Sequence, residues 1–157
     1  MSTAIDMLAV ADAVATQFAS LTIGTAVTGG TAMRGATARE PNNIPATPYV
    51  VVNLPSSNDV NDGSYGRIDI THDFPVDFLF SQASGDHPRI TESMLAWLGV
   101  LVWALEAANK LGIMSVVMKS RIVSYEPVIV AYGDVRYLAW NLTVRVWTES
   151  NYQPVAA

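Results

Sequence analysis

The chain contains no cysteine. Without a thiol it can form no disulfide, no thiolate nucleophile and no cysteine-ligated metal site, and the redox compartment is left open. Histidine is nearly as scarce, His72 and His87 being the only two in 157 residues. Neither has a second histidine at a metal-ligand spacing or a carboxylate pair tied to it, so no zinc or iron site is expected. Phosphate-binding glycine motifs are missing too: neither GxGxxG nor GxxxxGK(S/T) can be written anywhere, which removes the dinucleotide fingerprint and the P-loop. Ser56, Ser57 and Ser84 have no nucleophile-elbow glycines around them. The sequence therefore offers no enzyme signature and no expected cofactor.

Charge is also in short supply. Only 15% of the residues are charged, against about 25% in an ordinary globular domain. Nine Lys and Arg against fourteen acids give a net charge of -5, which disfavours a protein that grips nucleic acid by neutralising phosphates. The first ten residues, MSTAIDMLAV, lack the basic segment of a secretory signal, and no later run reaches the roughly 20 apolar residues of a membrane span. A cytoplasmic origin without a membrane partner is the expectation.

Hydrophobic residues, in contrast, make up half of the chain. Its length suits one domain, residues 1 to 157, with a real core. The most apolar stretch, residues 94 to 105 (MLAWLGVLVWAL), has no charge and no side-chain amide. Its flanks read as helix, and a helix apolar on every side must be buried on every side. One side is expected to pack on the protein's own sheet, the other on the first helix or a second copy of the chain. Trp97 and Trp103, six residues apart, point to opposite sides at 100° per residue and are the candidates for subunit packing.

A first helix is expected over residues 3 to 20, capped by Thr3, with Ile5, Leu8, Ala11, Ala15 and Phe18 recurring at helical steps. Residues 21 to 27 read as a short strand. Residues 28 to 47 lose all periodicity and are expected to form a long mobile loop or arm. Residues 49 to 54 (YVVVNL) read as a central strand covered on both faces, and residues 55 to 66 as turn chemistry centred on Asp62 and Gly63. Residues 67 to 80 alternate: Ile68, Ile70, His72, Phe74, Val76, Phe78 and Phe80 share one face, and Asp69, Thr71, Asp73 and Asp77 the other. Pro75 within that strand implies a bulge or a sheet edge. The apolar helix should begin after His87 and Pro88 and run to about Leu111, where Gly112 stops it. Strand pattern returns at Ile113, is interrupted at residues 125 to 127, and resumes to a hairpin turn at Gly133 and Asp134. The last strand, residues 135 to 147, puts Leu138, Trp140, Leu142, Val144 and Val146 on its core face. Residues 150 to 157 read as a flexible tail. The expected fold is α+β, a mostly antiparallel sheet packed by an N-terminal helix and one long central apolar helix.

His72, on an apolar strand face, reads as a core or interface residue, and His87 as part of a helix cap. Asp69, Asp73 and Asp77 stand at four-residue intervals on one strand face, about 13 Å between successive carboxylates. They form either a solvated face or an acidic ladder facing a lumen or neighbouring subunit, with Lys119, Arg121 and Arg145 as pairing partners.

The order of elements resembles the tail terminator, or tail completion, proteins of long-tailed non-contractile bacteriophages. The likeness rests on the N-terminal helix, the strand entry TPYVVV at residues 47 to 52, the long strand at 68 to 80, one long helix with tryptophan, and the closing hairpin at 125 to 147 (YEPVIVAYGDVRYLAWNLTVRVW). It covers residues 3 to 149. The resemblance implies a structural virion protein that forms a hexameric ring on the head-proximal end of the tail tube, ends tube polymerisation and joins the tail to the head connector. DNA would pass through the lumen without specific binding. No catalytic, cofactor or metal residue is implied, and loop 28 to 47 would be an arm ordered on meeting the tube or connector. The alternatives are a head-side neck or stopper protein and, from another class, a hydratase or thioesterase of the hotdog fold, whose long helix would follow Asp86, His87 and Pro88.

Overall fold

The computed structural model describes residues 5–23, 32–39, 41, 43–63, 67–83, 90–107, 111 and 117–151. Two helices and six strands follow in the order α1 (Met7–Ala19), β1 (Gly35–Thr37), β2 (Tyr49–Val52), β3 (Ser56–Gly63), β4 (Arg67–Gln82), α2 (Ile90–Ala107), β5 (Val117–Tyr132) and β6 (Val135–Asn151). The strands form one sheet in the order β1-β2-β4-β6-β5, with β3 also pairing β4. Only β1 and β2 run parallel. The fold is thus α+β with a mostly antiparallel sheet.

The core lies on one face of the sheet. Along β4 the alternation His72, Phe74, Val76, Phe78 is buried on that face, and β6 meets it with Trp140, Leu142, Val144 and Val146. Both helices pack there, α1 through Val10, Val14, Ala15 and Phe18 and α2 through Trp97, Leu98, Leu101, Ala104 and Leu105. At one end the opposite face holds a smaller cluster of Val51, Leu79, Tyr137 and Ala139. Val50, Val51 and Val52 are therefore all buried, as a strand covered on both sides requires.

Several expectations need correction. Of the positions expected on the buried side of α1, Ala15 and Phe18 are buried and Ile5 and Ala11 pack against the core, but Leu8 is exposed, and Val10 and Val14 complete the buried side. Leu8 lies 200° from Val10 on the helix. Asp6 caps α1 by accepting from the Ala9 amide at 3.0 Å. Thr3, the expected cap, lies outside the described residues.

Within residues 28 to 47, Gly35–Thr37 is a strand paired with β2, so this span is not without structure. Its start stays close to the chain before it through the bridge between Thr22 and Ala32, the one described pairing in the strand expected at 21 to 27. The polar run read as turn chemistry contains β3. Serine, asparagine and aspartate are poor strand formers, yet β4 supplies a row of backbone partners, and the sheet overrides propensity.

Pro75 lies at neither an edge nor a bulge. It pairs with Thr143 in the middle of the sheet, and its carbonyl accepts from the Asn53 amide at 2.8 Å. In a strand a residue's N–H and C=O point the same way, so the missing proline donor faces the junction where β2 ends and β3 begins. Pro127, by contrast, sits on edge strand β5, which continues through it. Strand β6 runs to Asn151, past the start of the expected tail at residue 150.

The apolar helix is neither long nor central. It spans 18 residues, ends before Leu111, which adopts φ 52°, and lies on the outside of the sheet. Trp97 is fully buried, but Leu95 and Trp103 are 56% and 68% exposed. The helix is therefore covered on one side within the chain, and the other side is open. Met94 contributes a backbone anchor, its carbonyl accepting from Trp140 Nε1 at 2.9 Å. No helix among the described residues is long and apolar enough to cross a membrane.

Candidate functional site

The face of the sheet opposite the helices carries most of the charged candidates, and the register decides how they meet. Asp73 stands directly across from Arg145 and Arg145 across from Arg121, while Trp147 stands across from Lys119. Arg145 forks onto Asp73, Nε donating to Oδ1 at 2.8 Å and Nη2 to Oδ2 at 3.1 Å. Both partners are partly exposed, so this paired geometry fixes orientation more than it adds stability, about 1 kcal/mol at most. The Lys119 ammonium lies 4.4 Å from the centre of the Trp147 ring, and the Arg145 guanidinium 5.9 Å from it. Arg121 is exposed. The backbone of Asp69 pairs with Glu149.

Asp77 behaves differently from Asp73. Only 7% exposed, it is a hub for three neutral donors: Tyr132 Oη at 2.8 Å and Asn53 Nδ2 at 3.2 Å to Oδ2, and Asn141 Nδ2 at 2.9 Å to Oδ1. A buried carboxylate needs several donors in place of its lost water, and the residue just after β2 together with β5 and β6 supply them here. Asn53 and Tyr132 also line a groove of about 490 Å³ with Ala38, Val52 and Leu54. The acidic ladder expected from spacing is thus divided: Asp73 is ion-paired, and Asp77 is locked into the sheet.

His72 is buried on the helix-side face. Its Nε2 is 2.9 Å from Thr148 Oγ1, and that hydroxyl donates to the Ile70 carbonyl at 3.2 Å. The hydroxyl proton being used, Thr148 accepts from His72, which places a proton on Nε2. Burial pushes the imidazole pKa below 6.5, opposed in part by the nearby Asp73 carboxylate. No base or nucleophile beside it turns this pair into a catalytic one among the described residues, and it reads as a satisfied core contact. His87 lies outside the described residues. No group of three metal-ligating side chains occurs among the described residues.

Among the described residues, exposed large apolar side chains gather on α2 and on the β5 edge, with Leu8 and Leu54 exposed singly elsewhere. The outer side of α2 exposes Leu95, Gly99 and Trp103, and edge strand β5 exposes Val123, Tyr125 and Ile129. Trp97 and Trp103 diverge: one packs against Phe78, ring centres 5.3 Å apart, and the other faces solvent. Composition singled out the tryptophans but not β5, whose Tyr125 to Pro127 stretch reads as an interruption of the strand. The roles of Asn53, Tyr132 and Thr148 also escaped sequence reasoning. Thr148 had a signal: it breaks the apolar face of β6 as His72 breaks that of β4, and only the register shows that the two interruptions meet. The chain matches no protein-family model, and no curated protein matches it.

Proposed function

We propose that this chain is a ring-forming structural subunit of a bacteriophage tail, of the tail terminator kind, and not an enzyme. The observation that carries the reading is the apolar surface the chain leaves uncovered, Leu95 and Trp103 on the outer side of α2 and Val123, Tyr125 and Ile129 on the neighbouring edge strand β5. Exposed apolar surface of this kind suits burial against further copies of the chain, and contacts between copies close into a ring when the rotation permits. In this reading the ring caps the head-proximal end of the tail tube, stops its growth and presents the surface that joins the head connector. Tube protein and connector are its partners, DNA passes without specific binding, and the ring assembles in the host cytoplasm and ends in the virion.

Incubation of the purified protein with isolated tail tubes and, separately, with DNA-filled heads tests this. The terminator reading expects rings on one end of the tubes. Binding to heads in preference to tubes would replace it with the head-side neck or stopper role, and binding to neither would remove both.

A further inference from the structure

Where β4 begins, the strands lie in the order β3-β4-β6-β5, and among the described residues β3 pairs only with β4 and β5 only with β6. This half of the sheet therefore ends in two edges, about 14 Å apart across three strand spacings. Their charges are opposite. The eight residues of β3, SSNDVNDG, include Asp59 and Asp62 and no lysine or arginine. The start of β5, residues 117 to 124 (VMKSRIVS), holds Lys119 and Arg121 and no acid.

The register sets these charges level with each other. Asp59 pairs with Thr71, Thr71 with Trp147, and Trp147 with Lys119, so Asp59 and Lys119 stand at the two ends of one row across the half-sheet. Lys119 and Arg121 are both exposed, and pairing with Trp147 and Arg145 puts both on the open face, away from the helices. Strand direction agrees as well. Each of the three pairings is antiparallel, so β3 and β5 run opposite ways. A copy set beside another by a sideways shift brings its β3 along the β5 of its neighbour in antiparallel order.

We infer that β3 of one copy lies along the start of β5 of the next, with Lys119 opposite Asp59 and Arg121 diagonal to it. The inference rests on the ring reading and names its contact. Main-chain pairing at an open edge supplies affinity, and the cross-strand opposite charges supply direction. The same charges oppose the alternatives. Two β5 edges would bring basic segments together and two β3 edges acidic ones, and both arrangements are repulsive. Charge on an edge strand blunts pairing with its own copy, and only the unlike edge relieves it. Contact between unlike edges repeats head to tail and closes into a ring when the rotation permits. Strand β5 sets its length: the β5–β6 register shifts between Val117 and Lys119 and between Ile122 and Ser124, which leaves Lys119 to Ile122 as the regular run, and Pro127 further along donates to no ladder.

Charge reversal tests the contact. Asp59→Lys with Asp62→Lys makes both edges basic, and Lys119→Glu with Arg121→Glu makes both acidic. Each double variant, checked for an unfolding midpoint like the parent's, is expected to need about tenfold more protein or higher to assemble in sedimentation velocity. A chain with all four substitutions exchanges the charges between the edges and is expected to assemble at about the parent's concentration. Because the chain has no cysteine, linking gives a second reading with single substitutions. Asp59→Cys and Lys119→Cys chains, mixed and treated with a short thiol-specific bifunctional linker, are expected to give about tenfold more covalent dimer than either alone. Double variants that assemble like the parent, a folded four-substitution chain that does not assemble, or equal linking in mixed and unmixed samples overturns the contact and leaves the ring reading standing. Absence of assembly in the unmodified protein, alone and with tail tubes, overturns both.

Discussion

Replacing Trp103 with serine removes the largest exposed apolar side chain of α2 while leaving the core untouched. In the single chain Trp103 is 68% exposed, so the substitution should change folding stability by no more than about 0.5 kcal/mol. Trp97 is the internal contrast: fully buried on the same helix, it should cost about 3 to 5 kcal/mol on truncation to alanine. In the proposed ring, Trp103 acts on association. A tryptophan offers up to about 250 Å², of which roughly 170 Å² remains exposed here; at about 25 cal/mol per Å², burying it against a neighbour contributes up to about 4 kcal/mol. Part of that is lost to ordering the interface, so a weakening of 30- to 300-fold per contact, about 2 to 3.4 kcal/mol, is expected. Urea unfolding reads the first quantity and sedimentation velocity over a concentration series reads the second. A Trp103→Ser protein that unfolds as readily as Trp97→Ala would show that the side chain packs within its own chain. One that assembles like the parent would show that the outer side of α2 is no interface.

Asp77→Ala should destabilise by about 2 to 3 kcal/mol, because it removes the buried acceptor shared by the partly buried donors of Asn53, Tyr132 and Asn141; Asp73→Ala, whose ion pair is partly exposed, should cost about 1 kcal/mol or less. Equal costs in urea would refute the hub. His72 has a pKa in the folded chain below its ordinary 6.5, so between the two values the unfolded chain binds more protons. Stability is therefore full above about pH 6.5 and falls as the pH drops through the folded value. Thermal midpoints across this range should flatten in His72→Asn relative to the parent, and an unchanged slope would assign the acid loss to other groups. Asp6→Ala removes the α1 cap and should cost about 1 kcal/mol by urea midpoint; a neutral result would mean that packing alone holds that helix end.

The longest strands were the most legible. His72, Phe74, Val76 and Phe78 in β4 and Trp140, Leu142, Val144 and Val146 in β6 alternate without a break, and each series lies on the helix side as the period of two requires. Strand β3 was invisible for the opposite reason. Its residues, SSNDVNDG, carry almost no apolar pattern, and it exists because β4 outruns β2 and offers backbone partners. In α1 only Leu8 was assigned to the wrong side, because apolar residues surround that helix and periodicity alone leaves the edges of the buried face open. For α2, composition reports that every side is apolar but not which side the chain itself covers. The charged site was legible as residue types on a face, since Asp73, Asp77 and Arg145 follow from alternation. The difference between an ion-paired Asp73 and a buried Asp77 depends on sheet order and register, which bring Asn53, just after β2, and Tyr132, at the end of β5, to one carboxylate.

The central claim is self-association into a ring that caps a tail tube, and electron microscopy of the purified protein tests it most directly, alone at rising concentration and mixed with isolated tail tubes. The account predicts closed rings of uniform size with an open centre, seated on one end of each tube. Monodisperse single subunits at every concentration, with bare tube ends in the mixture, would contradict it.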